Sequence, residues 1–173
     1  MKLKNIFRNV FLFVFIVWST QHLLIHFIPQ IVFVIGKYRS QQPLNTVIHA
    51  GKTDATLRKV VLPNPDFIYS ACFFDLNKND LMISGEFPDT AKYCSLAFYG
   101  DNVQPFYVIN NLQGFGKKYT VRLSGVHRTP NVIQAKSKQG VILMRLLITD
   151  SFQIDSAKKF QKKFSVKEVS IND

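Results

Sequence analysis

From Asn9 to Gly36 the chain carries no ionisable side chain except His22 and His26, and Lys2, Lys4 and Arg8 stand just before that stretch. Phe, Val, Ile and Leu dominate it. A helix rises about 1.5 Å per residue, so a run of this length exceeds what the roughly 30 Å hydrocarbon core of a bilayer requires. The first expectation is a transmembrane helix. A signal peptide has a shorter apolar region closed by a small-residue cleavage triplet. Here Ile31-Val32-Phe33-Val34-Ile35 prolongs the apolar character, and Ser19-Thr20-Gln21 imitates a cleavage site poorly. An uncleaved anchor over 1–36 follows. Basic residues at the extreme N-terminus favour a cytoplasmic N-terminus, an asymmetry that Lys37 and Arg39 on the far side reduce.

The span is not uniformly apolar. Ser19, His22, His26, Pro29 and Gln30 recur at three- and four-residue steps, which gathers most of its polar atoms on one helix face. Polar side chains inside a membrane are costly and usually face protein or water, so Ser19, His22, His26 and Gln30 are expected to meet another membrane helix. Two other readings stay open: His26, Pro29 and Gln30 at the outer head-group level, and His22 with His26 as a haem or metal pair. The latter lacks further ligands, so neither metal nor cofactor is expected.

Beyond a linker at 37–52, the segment 53–173 is close to the commonest single-domain size. The formal charge is +11, but five of the 22 basic residues precede residue 41 and none of the 11 acidic ones does, so the remainder carries +6. Its basic residues do not alternate with aromatics in one stretch, which argues against nucleic acid and for an anionic lipid surface or acidic ligands. Cys72 and Cys94 both lie in apolar runs. One disulfide is permitted outside the cytoplasm, but free core thiols are equally ordinary, and the pairing stays open.

Short apolar runs recur at Lys59 to Leu62, Phe67 to Phe74, Leu81 to Phe87, Tyr93 to Tyr99, Phe106 to Ile109, Tyr119 to Leu123, Asn131 to Ala135 and Val141 to Ile148. Turn chemistry separates them, as in Asn77-Lys78-Asn79-Asp80, Gly100-Asp101-Asn102, Gly114-Phe115-Gly116 and Lys138-Gln139-Gly140. The pattern predicts a mainly β fold, an antiparallel β-sandwich of jelly-roll-like form. Asp150 and Gln153 stand in the relation of a capping box, and Ile154, Ala157, Phe160 and Phe164 follow near helical spacing. A short C-terminal amphipathic helix is expected there. Its basic face, Lys158, Lys159, Lys162 and Lys163, fits either solvent or lipid head groups.

Asn64-Pro65-Asp66 immediately before a strand places a carboxylate and an amide at a sheet rim, with Tyr69 and Ser70 following. Such a group could bind a cation or polar ligand. It could equally form a turn, since Asx side chains before strands bond nearby backbone. Arg145 interrupts the run Val141 to Ile148, and alternation places it with Val141, Leu143 and Leu147. If that face is buried, Asp66 or Glu86 should pair with it; otherwise it is an outer-face arginine. Enzyme templates fare poorly. His49 and His127 follow no nucleophile motif, and an Asp66–Glu86 acid–base pair would need burial to separate their pKa values.

The run Val60-Val61-Leu62-Pro63-Asn64-Pro65-Asp66-Phe67-Ile68-Tyr69-Ser70 resembles the signature of the bacterial family called domain of unknown function 1254. Asp75-Leu76, Pro88-Asp89-Thr90, Tyr93-Cys94-Ser95-Leu96, Phe98-Tyr99, Phe106 to Asn110, Gly140 to Arg145 and Phe160-Gln161-Lys162-Lys163-Phe164 agree with it in order. The likeness covers roughly Leu44 to Phe164 and is to the family's short, membrane-anchored branch. It implies a β-rich domain that long members fuse to a companion domain and that a short chain meets on another polypeptide. Long members usually read Asn-Asn-Asp where this chain has Asn64-Pro65-Asp66. Pro65 lacks a backbone donor, so no site role of that middle position carries over.

The expected protein is therefore a single-pass bacterial inner-membrane subunit with a periplasmic β domain. Its role is binding or assembly with a companion-domain protein, through the membrane helix and the β domain. Asn64, Asp66, Tyr69, Glu86 and Arg145 are its ligand-binding candidates. The alternative is a hydrolase domain acting on a small polar or phosphorylated molecule. A concave polar pocket around a buried Asp66 would favour the hydrolase, and a flat apolar patch would favour assembly.

Overall fold

The computed structural model describes residues 2–52, 63–89, 91–113, 117–126, 132–149 and 153–171. The predicted strand at Lys59–Leu62, the turn at Gly114–Gly116, His127 and Asp150 lie outside them.

The uncharged N-terminal run is built mostly of large apolar residues, and its two helix-disfavouring residues, Pro29 and Gly36, do not end the helix. Accordingly α1 spans Lys2–Ser40, is long and apolar enough to cross a membrane, and accommodates Pro29 within it. It stops where Gln41 takes a left-handed φ of 51°, two residues before Pro43. The helix thus continues past Gly36. The remaining part of the expected linker contains strand β1 (Val47–His49).

The next strands are β2 (Phe67–Asp75), β3 (Asp80–Glu86), β4 (Cys94–Gly100), β5 (Pro105–Asn110), β6 (Lys118–Ser124), β7 (Val132–Gln134) and β8 (Gln139–Leu147). Helix α2 (Ile154–Gln161) and strand β9 (Ser165–Val169) close the described chain. A five-stranded sheet has the order β1-β2-β8-β4-β5 and a four-stranded sheet the order β7-β6-β3-β9. The fold is mainly β, as expected, but not wholly antiparallel: β7 pairs with β6 in parallel.

Both sheets feed one core. Ile68, Cys72 and Phe74 of β2, Leu96 and Phe98 of β4, and Ile142, Met144 and Leu146 of β8 meet Leu81 and Ile83 of β3 and Leu123 of β6. Burying each large side chain stabilises the fold by roughly 1.5–3 kcal/mol. Gly140 is required by close approach, since a Cβ there would run into the Tyr99 carbonyl and the Phe74 ring.

Burial along β2 and β8 alternates strictly although their sequences are apolar on both faces. The inner face is buried, while Phe67, Tyr69, Ala71 and Phe73, with Val141, Leu143, Arg145 and Leu147, are half-buried on the outer face. The end of α1 rests on part of that outer face. Phe33 is buried with its ring 5.9 Å from Phe73, Gly36 is buried beside it, and Lys37 Nζ donates to Gln139 Oε1 at 3.2 Å.

Helix α2 begins at Ile154, later than its expected Asp150 cap, and its Gln153 cap makes no side-chain bond. It turns Ala157 and Gln161 inward. Gln161 Nε2 donates to Ala50 O at 2.9 Å and Tyr69 O at 2.6 Å, which fixes the helix to β1 and β2. Phe164, expected on this helix, lies beyond it and is buried where the chain enters β9. Four-residue spacing from Phe160 is satisfied equally by a chain that leaves the helix and turns inward.

Candidate functional site

The rim before β2 is built by short-range bonds. Asn64 Oδ1 accepts from Asp66 N at 2.9 Å, Asn64 O accepts from Phe67 N at 3.2 Å, and Asn64 N donates to Tyr69 Oη at 3.2 Å. Both Asn64 and Asp66 are exposed. Tyr69 points to the outer face, where β2 pairs it with Arg145. The rim is therefore a turn with its carboxylate in solvent, adjoining an aromatic and basic patch.

Arg145 occupies the central strand of the five-stranded sheet, between Tyr69 and Ser95. Its Nε donates to Ser95 Oγ at 3.2 Å. Neither expected carboxylate pairs with it. Glu86 lies on the other sheet and accepts from Lys163 Nζ at 2.8 Å. The five ligand-binding candidates thus form two groups: Asn64, Asp66, Tyr69 and Arg145 on one sheet's end and outer face, and Glu86 apart.

On α1, Ser19 is half-exposed and His22, His26 and Gln30 are exposed. The His22 ring meets Trp18 edge-on at 4.6 Å, and His26 meets Phe27 at 5.2 Å. The same three- and four-residue steps continue to Phe33, Gly36 and Lys37. The polar stripe and the face that seats on the β domain are one continuous helix face.

Pairs that sequence reasoning missed include His49 with Ser70, whose Nδ1 and Oγ are 2.9 Å apart. Burial, and then Lys162 nearby, holds the His49 pKa below its ordinary value, which favours the neutral ring. Ser70 is only 1% exposed, which leaves its hydroxyl no approach for a substrate. Asp80, 1% exposed, pairs with Arg122 Nε at 2.8 Å, and Arg122 also donates to Ser170 O at 2.9 Å. A residue separation of 42 hides this pair from any local signal.

Cys72 and Cys94 are free thiols, both fully buried. They flank β8 opposite Ile142 and Leu146, respectively, so a whole strand and four residues of register separate them. That is roughly 16 Å at ordinary strand spacings, far beyond disulfide reach. Among the described residues no cluster of three or more His, Cys, Asp or Glu is placed to hold a metal ion.

The family described as protein of unknown function (DUF1254) matches residues 44–168, the stretch that contains β1 to β8, α2 and all of β9 but Val169. The chain belongs to the DUF1254 family. The crystal structure of the VPA0106 protein from Vibrio parahaemolyticus is similar to it with a TM-score of 0.59 and 11% identity, over 84% of this chain and 36% of that one. A crystal structure of an uncharacterized protein from Burkholderia cenocepacia has a TM-score of 0.49 and 12% identity, over 83% of this chain and 40% of that one. This DUF1254 chain therefore spans well under half the length of those two proteins. At such identities the likeness to VPA0106 concerns the fold. No curated protein matches the chain.

Proposed function

We propose that this DUF1254 chain is an assembly subunit, anchored by α1 as a single pass in a bacterial inner membrane, with its N-terminus cytoplasmic and its β domain periplasmic. The observation that carries the reading is the outer face of the five-stranded sheet. Tyr69, Ala71, Leu143 and Leu147 are half-buried there around Arg145, with the end of α1 seated on one part only. Apolar surface of this kind, rimmed by polar groups, is characteristic of protein contacts. Asp66 is exposed instead of buried in a polar concavity, which weighs against the hydrolase reading.

A photo-crosslinker at Leu143 and at His22 or His26 in the full chain tests this. Both are expected to capture one protein, identified by mass spectrometry, that carries a companion domain. Capture at neither site overturns assembly. A reporter active only outside the cytoplasm, fused after Asp173, is expected to work; activity of a cytoplasmic reporter there overturns the orientation.

A further inference from the structure

The chain reverses direction where α1 ends. Phe33 touches Phe73, and one helical turn later Lys37 reaches Gln139, whose strand partner is Asp75. The helix end and β2 therefore advance together towards Asp75. The return is short and pinned: Asn45 N donates to Phe73 O at 2.8 Å and its side chain bonds Asp75 N and O at 2.8 and 3.2 Å. Strand β1 then runs antiparallel to β2, back along the direction from which α1 came.

Distances along the two elements decide where the other end of the sheet lies. About 20 residues fill the hydrocarbon core, so a span beginning after Arg8 leaves it near Ile28. Phe33 is then roughly 7 Å beyond, at 1.5 Å per residue. From Phe73 back to Phe67 the strand covers roughly 20 Å, at about 3.3 Å per residue. A return of roughly 20 Å exceeds the roughly 7 Å rise, so the Phe67 end comes back at least to the level at which the helix emerges.

We infer that this end of the β domain, the turns around Phe67 and Leu112, rests in the interfacial layer of the same membrane that α1 spans. The inference depends on the anchor reading of α1. Register places the pieces together: Phe67 pairs with Leu147, Cys94 with Leu146, and Ser95 with Asn110, so the β5–β6 turn lies at this end. Its described start, Asn110 to Leu112, is held by side-chain bonds. Leu112 N donates to Asn110 Oδ1 at 2.9 Å, and the Asn111 side chain bonds Cys94 N at 2.9 Å and Ala91 O at 3.1 Å. It holds Leu112 72% exposed. Nearby, the Phe67 and Tyr93 rings meet edge-on at 6.3 Å, with Lys92 exposed beside them. A projecting aliphatic tip, an aromatic pair and a lysine suit the head-group boundary. Apolarity alone does not single out this end. Val126 is 67% exposed at the opposite one, past the β6 residues that pair with Leu81. The chain reversal distinguishes them.

The test uses the full chain in phosphatidylcholine–phosphatidylglycerol vesicles, with Leu112→Cys, Val126→Cys or Val17→Cys carrying an environment-sensitive fluorophore. The native thiols are buried and stay unlabelled in the folded protein. Lipids bearing a shallow nitroxide are expected to quench the label at 112 at least threefold more than the label at 126, with 17 quenched by a deep nitroxide. Quenching at 126 but not 112, or at neither while 17 is quenched, overturns the inference and leaves the anchor standing. A label at 17 that escapes quenching overturns the anchor, and the inference with it.

Discussion

Arg145 donates from the central strand β8 to Ser95 on β4, at 3.2 Å, and makes no ion pair with a carboxylate among the described residues. A half-buried charge held by one neutral hydroxyl gains little from its surroundings. Arg145→Met is therefore expected to change unfolding free energy by less than about 1 kcal/mol, measured by urea denaturation. A double-mutant cycle with Glu86→Gln should give coupling near zero. A coupling above about 1 kcal/mol would contradict the placement of these residues on different sheets.

The Asp80–Arg122 pair behaves differently because it is buried and satisfied. Asp80→Ala leaves the guanidinium without its carboxylate and is expected to cost about 3–5 kcal/mol in the same assay. Replacing both, Asp80→Leu with Arg122→Met, should recover most of that loss. A double variant no more stable than the single one would show that packing, not charge, dominates the site.

Tyr119 Oη is buried without a hydrogen-bond partner among the described residues, against Gly85, and the ring stacks on Phe87 at 4.6 Å. Burial, and then Cys94 nearby, pushes the phenol pKa well above its ordinary value. Tyr119→Phe removes an unsatisfied hydroxyl and is expected to be neutral or to stabilise by about 1 kcal/mol. Gly85→Ala drives a methyl into the phenol and should destabilise by about 1–3 kcal/mol. Thermal melting of both variants decides the matter.

Burial pushes the Cys72 and Cys94 thiols from 9.0 up to about 12. The folded state holds those protons where the unfolded chain has begun to release them. The resulting stability is fully present below pH 9 and is lost as pH rises towards 12, by about 1.4 kcal/mol per thiol per unit within that window. Cys72→Ala with Cys94→Ala should flatten the alkaline part of a denaturation series. Alkylation at pH 7.5, at roughly a unit below an ordinary thiol pKa, should label neither native thiol and both after unfolding.

The strands were most legible where turn residues bracket an apolar run, as Asn77-Lys78-Asn79 does after β2 and Gly100-Asp101-Asn102 after β4. Two strands escaped. β1 is three residues inside a polar stretch, and β9, Ser165-Val166-Lys167-Glu168-Val169, follows so closely on α2 that Phe164 reads as helical. The outer patch was not legible because Val141 to Ile148 is apolar on both faces, which conceals which side is covered. Only strand order, with β8 between β2 and β4, decides what Arg145 meets. The separation of Glu86 from Asp66 likewise depends on which sheet each strand joins.

The bonds from Asn45 to Phe73 and Asp75 leave only the short stretch after Ser40 to connect anchor and domain. A domain on a long flexible tether sweeps a volume and meets partners in three dimensions, at an effective concentration that falls with tether length. This one is clamped to its own helix and has almost no volume to sweep. With α1 spanning a membrane as proposed, its encounters would become lateral collisions in a plane, with one orientation already set, so the frequency of meeting another membrane-bound chain would depend on surface density and on little else.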